Sequence, residues 1–171
     1  MRVVGGSARG RRLIAPKGDA TRPTSDFVRE AIFNTLQSIV EWEGLDAADL
    51  FAGTGALGIE ALSRGAASCL FVDSDRRAAD AVRTNLASTG LADRGSVIVR
   101  DVASWVASAP ALHVVFADPP YAFDDWGAIG SVRAQLVVAE SDREVALGPR
   151  WMILKSKRYG STVVTLFEPQ E

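Results

Sequence analysis

The stretch Asp49-Leu-Phe-Ala-Gly53-Thr-Gly55-Ala-Leu-Gly58 decides the fold, because closely spaced glycines join an apolar strand to a helix. Glycine has no Cβ, so Gly53 and Gly55 let the backbone turn sharply and approach a ligand closely. The helix that follows begins with free N–H groups and a partial positive charge. A glycine loop in this setting predicts the first strand–helix unit of a doubly wound sheet.

Strands and helices alternate along the chain from residue 45 onward. Apolar runs predict seven strands, at residues 45–51, 69–72, 97–99, 112–117, 136–139, 151–154 and 162–167. Helical periodicity follows the first three of them, at residues 56–64, 76–88 and 102–107. This alternation predicts an α/β protein with a Rossmann-like, mostly parallel seven-stranded sheet. Ligands bind such sheets at the carboxyl ends of the strands, so the loops after residues 51, 72, 100 and 117 are expected to carry function.

The N-terminal region differs from the rest in composition. Apolar pairs at residues 3–4 and 13–14 flank a stretch rich in glycine and arginine, which predicts a basic hairpin or arm over residues 1–24. Ser25 or Asp26 is expected to cap a helix that places Val28, Ile32 and Leu36, followed by Ile39, on one face. The Rossmann-like domain is therefore expected to span residues 25–171.

Composition excludes several classes of protein. The chain has 171 residues, of which 47% are apolar and 23% charged, as expected of one folded domain. It contains no apolar run long enough for a membrane helix and no signal-peptide core. Cys69 is the only cysteine, so an intrachain disulfide and a cysteine-based metal cluster are excluded, and no metal is expected. We expect a cytoplasmic protein that is a monomer.

The net charge of −2 hides an uneven distribution of charge. Residues 1–30 and residues 150–158 each carry a net charge of +4, whereas residues 31–149 sum to −8. Basic segments beside an acidic domain are compatible with an anionic partner such as nucleic acid, although two solvated surfaces would give the same pattern.

Acidic residues after the strands point to a cofactor that contains a nucleoside. Asp73 lies twenty residues after Gly53, where a carboxylate can accept hydrogen bonds from ribose hydroxyls. The geometry fits a dinucleotide or S-adenosylmethionine. Asp49 favours S-adenosylmethionine, because an acid near the glycines suits the cationic methionine amine. Asp101 follows the third strand and either borders the adenine or caps the next helix.

The segment Asp118-Pro119-Pro120-Tyr121 follows the fourth strand and favours transfer to an amine. Proline fixes φ and removes a backbone donor, so the segment forms a rigid corner that presents a carboxylate, carbonyls and an aromatic ring. Such acceptors can hold the hydrogens of an exocyclic amine and direct its lone pair at a methyl donor. Tyr121 can stack on a base that has been turned outward.

Three other interpretations share part of this pattern. An NAD(P)-dependent oxidoreductase has the glycine loop, a methyltransferase for adenine N6 or for protein glutamine has the proline corner, and a non-catalytic RNA-binding module would explain the arginines. His113, inside the fourth strand, is expected to be a packing residue and not a base. The tryptophans are expected to be packing residues, and only Trp126, near the proline corner, has a substrate contact as an alternative. They are Trp42, Trp105, Trp126 and Trp151.

The motifs DLFAGTGALG, FVDSD and ADPPY, in this order, resemble those of S-adenosylmethionine-dependent N-methyltransferases. DLFAGTGALGIEALSRGA, RVVGG…RGRRL, TRPTSDFVREAIFNTL and KRYGSTVVTLFE resemble more narrowly the RsmD-type family, and together they cover nearly the whole chain. That family methylates the N2 of one guanine in bacterial small-subunit (16S) ribosomal RNA. The resemblance therefore implies S-adenosylmethionine as cofactor and ribosomal RNA, or the small ribosomal subunit, as partner.

The resemblance also implies roles for individual residues. The cofactor would be bound by Asp49, Phe51, Gly53, Gly55, Asp73, Ser74, Asp101 and Val102. The target amine would be received by Asp118, Pro119, Pro120 and Tyr121. RNA phosphates would be bound by Arg9, Arg11, Arg12, Arg22 and Arg29. The chain departs from the family pattern at Phe27, where arginine is usual, at Asp73, where glutamate is common, and in a short segment over residues 121–135.

Overall fold

The computed structural model describes residues 1–18 and 24–171, and within them the chain forms one seven-stranded sheet with helices on both faces. The strands are β1 (Asp46–Leu50), β2 (Ser68–Asp73), β3 (Gly95–Val99), β4 (Leu112–Ala117), β5 (Ala134–Ser141), β6 (Trp151–Tyr159) and β7 (Thr162–Pro169). The helices are α1 (Asp26–Leu36), α2 (Ala56–Ser63), α3 (Arg76–Thr89), α4 (Val102–Val106) and α5 (Trp126–Ile129).

The order of the strands places the functional loops together. The sheet runs β3-β2-β1-β4-β5-β7-β6, and the pairs among β1 to β5 are parallel. Only β7 is antiparallel to its neighbours, β5 and β6. The strand order reverses between β1 and β4, so the loops after these two strands open beside each other, where doubly wound sheets bind ligands. The predicted Rossmann-like, mostly parallel α/β fold is confirmed.

Two apolar cores lie on the two faces of the sheet. One contains residues of α1, α2, α3 and the N-terminal hairpin, among them Phe33 and Leu62, packed against strand residues such as Phe71 of β2. The other contains residues of α4 and α5, among them Trp105 and Trp126. Central strands buried on both faces explain why they are continuous apolar runs in the sequence.

The N-terminal hairpin forms as predicted and is bound to α2. Arg2 and Arg12 pair as an antiparallel bridge. The backbone N–H groups of Val4 and Gly5 each donate a 2.8 Å hydrogen bond to the carboxylate of Glu60 on α2. Because its residues also enter the core beside α1 and α2, the hairpin is an integral part of the fold and not a free arm.

Most boundaries differ from the sequence-based prediction by one or two residues, and two boundaries and one helix depart from it further. The helix α1 ends at Leu36, so Ile39 lies beyond it and is 49% exposed. The strand β6 continues to Tyr159, well past its apolar part, because an edge strand exposed on both faces needs no apolar pattern. The helix α5 was not predicted, since four residues are too few to show a helical period. Within the described ranges, no helix has the length and apolarity needed to span a bilayer.

Candidate active site

A cleft of about 500 Å³ opens at the carboxyl ends of the central strands. The loops after β1, β2 and β4 contribute to its wall, together with the end of β5 and the start of α1. It is lined by Thr24, Ser25, Val28, Phe51, Gly53, Asp73, Ser74, Asp75, Ala78, Asp118, Pro119, Pro120, Tyr121, Glu140 and Thr162. Eight residues that the sequence predicted for the site are therefore brought together: Phe51, Gly53, Asp73, Ser74, Asp118, Pro119, Pro120 and Tyr121.

The glycine loop adopts a backbone that side chains would obstruct. Gly55 has a φ of 79°, in the left-handed region, and it precedes α2. A Cβ on Gly58 would lie 2.4 Å from the ring of Phe71 on β2, so only glycine lets α2 approach the sheet this closely. Phe51 has a φ of 58° although it is not a glycine, and such backbone strain is concentrated at functional sites.

The carboxylate of Asp73 is held at the tip of β2 by two backbone donors. The N–H of Gly53 donates to it at 3.0 Å, and the N–H of Asp75 donates at 2.9 Å. These bonds fix Asp73 against the glycine loop, on the wall of the cleft. A carboxylate in this position suits the hydroxyls of a ribose.

Asp49 lies behind the glycine loop and does not line the cleft. It is 2% exposed, and its carboxylate accepts a 2.9 Å hydrogen bond from the N–H of Gly58 in α2. Burial raises the pKa of Asp49 well above its usual range, and the charges of Asp118 and Asp73 raise it further, while the Gly58 bond opposes them. The three carboxylates therefore interact, and a cation bound nearby would relieve their repulsion.

The proline corner after β4 and the short segment that follows it are held by contacts with Arg143 and with aromatic rings. Arg143 donates hydrogen bonds to the carbonyls of Tyr121 at 3.0 Å and Phe123 at 2.8 Å. The ring of Phe123 packs edge-on against Phe51, with centroids 5.0 Å apart, and against Trp126, with centroids 5.5 Å apart. The short 121–135 segment is thus tied to the glycine loop, and Tyr121 stays 36% exposed at the cleft.

Seven lining residues were not among the predicted site residues, and two of them, Thr24 and Glu140, lie beside Asp118. The hydroxyl oxygen of Thr24 lies 2.7 Å from Oδ2 of Asp118 and 2.9 Å from Oε2 of Glu140. A hydroxyl has a single proton, so Thr24 can donate to only one of these two carboxylates at a time, and its oxygen lies between them. Glu140 could have been found from the sequence, because it directly follows the predicted fifth strand, at the strand end where ligands bind.

Acidic residues dominate the electrostatics of the cleft. Four carboxylates line it, from Asp73, Asp75, Asp118 and Glu140, and none of its described lining residues is lysine or arginine. Hydrogen bonds from Arg77 lower the pKa of Asp75, which keeps that carboxylate charged. This surface attracts a cationic ligand and repels a pyrophosphate.

Other predicted residues lie outside the lining of the cleft. Asp101 caps α4 by accepting a 3.0 Å hydrogen bond from the N–H of Ser104, and Val102 is buried beneath it. Gly55, at the end of the glycine loop, faces α3, since a Cβ there would lie 3.2 Å from Val82. His113 accepts a 2.9 Å hydrogen bond from the N–H of Asp46, which agrees with the predicted packing role.

The predicted RNA-binding arginines have different surroundings. Arg9, Arg11 and Arg12 are exposed on the hairpin, and Arg22 lies outside the described residues. The prediction that Arg29 binds RNA phosphates is wrong, because the side chain of Arg29 is 0% exposed. It is bonded to Asp26 at 2.9 Å and lies 3.5 Å from Glu60, so it cannot reach a phosphate in this conformation.

In the part of the chain that the structure describes, no group of three or more His, Cys, Asp or Glu residues could hold a metal ion.

Comparison with known proteins places this architecture in a family. YlbH of Bacillus subtilis (strain 168), provisionally named an rRNA methyltransferase, is 37% identical over 183 residues, which cover 98% of both chains. Ribosomal RNA small subunit methyltransferase D of Escherichia coli (strain K12) is 41% identical over 124 residues, covering 71% of this chain and 60% of that protein. The solved structure of yhhF from Escherichia coli, provisionally named a methyltransferase, matches with a TM-score of 0.85 and 32% identity, over 99% of this chain and 98% of that one. The family model described as "Conserved hypothetical protein 95" matches residues 1–168. The chain therefore belongs to this family, which is the RsmD-type family indicated by its sequence motifs.

Proposed function

We propose that the protein transfers a methyl group from S-adenosylmethionine to the N2 amine of a guanine in 16S ribosomal RNA. The observation that carries the proposal is the acidic cleft, which places the ribose-type acid Asp73 and the proline corner at Asp118 along one cavity of about 500 Å³. A cavity of this size suits a small-molecule cofactor beside a single base.

The charges of the cleft favour S-adenosylmethionine over a dinucleotide. When bound, S-adenosylmethionine supplies an electrophilic methyl group on a sulfonium that carries a positive charge. The carboxylate of Asp73 fits the ribose, and the glycine loop with Phe51 fits the methionine end. Asp49 lies behind the glycine loop, so its carboxylate would attract the methionine ammonium across the loop or through a water molecule, and the bound cation would favour the charged form of Asp49. A pyrophosphate would face the carboxylates with no described cation on the wall, which argues against an oxidoreductase.

The proline corner suits the methyl-accepting amine. The exocyclic amine of a base is a weak nucleophile, because its lone pair is delocalised into the ring. The carboxylate of Asp118 and the carbonyls beside the prolines can accept its two hydrogens and direct the lone pair toward the methyl carbon. In such a transfer the N–C bond would form as the S–C bond of the cofactor breaks, and Asp118 or water would accept the proton that the methylated amine loses.

Glu140 favours guanine over adenine as the base. Guanine presents the N1–H and the N2 amine as adjacent donors, whereas adenine presents an acceptor, N1, next to its N6 amine. An ionised carboxylate only accepts hydrogen bonds. Because the hydroxyl oxygen of Thr24 lies 2.9 Å from Oε2 of Glu140 and 2.7 Å from Oδ2 of Asp118, the two acidic groups are close enough to meet neighbouring donors of one base edge. This arrangement matches guanine and opposes adenine.

The basic hairpin supports RNA as the substrate. Arg9, Arg11 and Arg12 are exposed on one short hairpin that packs on α2, beside the cofactor loop. Arginine side chains on a rigid support suit phosphates, and such contacts position a nucleic acid without reading its sequence.

Calorimetry tests the choice of cofactor. The protein is expected to bind S-adenosylmethionine and to show no binding of NADH under the same conditions. Binding of NADH alone would contradict the proposal.

The variant Asp118→Ala separates an enzyme from an RNA-binding module. We expect methyl transfer to small ribosomal subunits to be lost while RNA affinity stays within about twofold of the unsubstituted protein, because Asp118 acts on the amine and not on phosphates. Undiminished transfer by Asp118→Ala would contradict the assigned role.

A further inference from the structure

An exposed aromatic side chain lies at the start of α1, where the family pattern has arginine. Phe27 is 71% exposed, although phenylalanine is normally buried. Its ring meets that of Tyr159, at the end of β6, edge-on, with centroids 6.3 Å apart and an interplanar angle of 76°. Tyr159 is partly buried and packs against the core, so it anchors the exposed ring of Phe27.

A lysine completes this group of side chains. The ammonium of Lys157 lies 5.1 Å from the centroid of the Tyr159 ring. Residues two apart on a strand share a face, so Lys155, Lys157 and Tyr159 form a row along β6. Residues 150–158 contain four basic residues and no acid. The acid that precedes Phe27, Asp26, is paired with Arg29 at 2.9 Å.

This row ends at the mouth of the cleft. Ser25 and Val28, on either side of Phe27 in the sequence, line the cleft, and so does Thr162. Thr162 is the register partner of Tyr159 across β6 and β7. A ligand that contacts Phe27 would therefore lie next to any base that is bound beside Asp118.

We propose that Phe27, Tyr159 and Lys157, here called the Phe27 platform, bind an unpaired nucleotide that neighbours the target guanine in the RNA. The base stacks on the exposed ring of Phe27, and Lys157 contacts the phosphate. The inference rests on the proposed function for the identity of the target base, but it makes a separate statement about RNA binding. Aromatic rings interleaved with cations are the recurring means of holding single-stranded nucleic acid.

A nucleotide fits this surface better than a protein partner does. Protein interfaces generally bury broad, well-packed areas with few lysines at their centre. The Phe27 platform is instead one protruding ring on a row of exposed cations. The charge of that row complements phosphates, and a single ring matches the area of one base.

The test measures RNA binding apart from methyl transfer. The full-length protein and its variants are titrated with a fluorescently labelled 12-nucleotide oligoadenylate RNA at low salt. Phe27→Ala and Phe27→Leu are expected to raise Kd by about tenfold, whereas Phe27→Trp keeps the affinity, because stacking requires an aromatic ring. Ile39→Ala is the matched control, since Ile39 is 49% exposed beyond the other end of α1; it is expected to leave Kd unchanged.

Salt dependence tests the role of Lys157. Lys157→Ala is expected to reduce the slope of log K against log salt by about 0.7, the value for one phosphate contact on a single strand. Calorimetry on each variant is expected to give unchanged affinity for S-adenosylmethionine, and melting curves check that each variant is folded.

Several results would overturn the Phe27 platform: no measurable RNA binding by the unsubstituted protein, wild-type affinity in Phe27→Ala, or equal affinity in Phe27→Leu and the unsubstituted protein. A higher KM for whole subunits in Phe27→Ala, with unchanged binding of naked RNA, would also overturn it and indicate a protein contact. If the expected binding pattern holds but the unsubstituted protein transfers no methyl group to subunits, the platform stands and the proposed function fails.

Discussion

The buried carboxylate of Asp49 accepts a 2.9 Å hydrogen bond from the backbone N–H of Gly58, which joins the end of β1 to the first turn of α2. Burial and the nearby charges of Asp118 and Asp73 raise the pKa of Asp49 well above its usual range. The charged form is therefore costly in the free protein. A buried carboxylate whose charged form destabilises the free protein is expected to bind a cationic ligand. Functional sites often reduce the stability of a fold in this way.

Replacing Asp49 by asparagine is expected to stabilise the free protein and weaken cofactor binding. A raised pKa in the folded state means that wild-type stability falls as pH rises from about 4 toward that raised pKa. Asp49→Asn should therefore melt at a higher temperature than the wild type at pH 8, with the difference shrinking in acid. Its affinity for S-adenosylmethionine should fall at least about tenfold, because a charged partner is lost. Thermal unfolding and calorimetry measure the two effects.

The exposed pair of Asp80 and Arg83 on α3 provides the control for this prediction. Asp80→Asn removes the same charge at a side chain that is 78% exposed, and it is expected to change neither property. A destabilised Asp49→Asn at pH 8 that binds S-adenosylmethionine normally would show that Asp49 has only a structural role.

Replacing Glu140 by glutamine is expected to reduce activity on guanine and relax the choice of base. Loss of a charged acceptor costs about 1.5–3 kcal/mol, which corresponds to roughly a tenfold to hundredfold fall in kcat/KM. Glutamine also has a donor, so transfer to an adenine placed at the target position should become detectable. Thr24→Val removes only the bridging hydroxyl and should have a smaller effect. Equal kcat/KM on guanine for wild type and Glu140→Gln would rule out the recognition role.

Arg29 and Arg11 are expected to behave in opposite ways when they are replaced. Arg29→Met removes one of the two cations beside Glu60, which is 0% exposed and keeps its 2.9 Å pair with Arg64, so unfolding should become easier by about 1–3 kcal/mol. Arg11→Ala removes an exposed charge, so it should leave the melting temperature unchanged and weaken RNA binding. Denaturation and RNA titration at several salt concentrations distinguish the two. If Arg29→Met is as stable as the wild type but binds RNA more weakly, Arg29 binds RNA phosphates, as the sequence predicted.

The order of elements was predictable because each central strand is buried on both faces and is followed by a clear turn. The strand β4, Leu112–Ala117, has the predicted bounds. The strand β6 was predicted only to Leu154, since Lys155 to Tyr159 alternate between two exposed faces and carry no burial pattern. Local composition therefore identifies the interior of this sheet better than its edge.

The site was predictable where its residues share a motif and unpredictable where they meet across the fold. The glycine loop and the proline corner are contiguous in sequence, so each could be recognised on its own. Thr24 and Glu140 are separated by 116 positions and meet only through the folded chain. Arg29 was misassigned for the same reason, because its buried partner Glu60 lies on another helix. An arginine in a basic segment gives no local sign that it is internal.

Transfer of tritium from labelled S-adenosylmethionine to small ribosomal subunits from a bacterium lacking this methyltransferase tests the proposed reaction most directly. The labelled nucleoside is released by digestion and identified by mass spectrometry, and its position is mapped in the RNA. We expect label in N2-methylguanosine at a single position, and none with Asp118→Ala. Label in N6-methyladenosine, label in protein, or no transfer to RNA would contradict the proposed function.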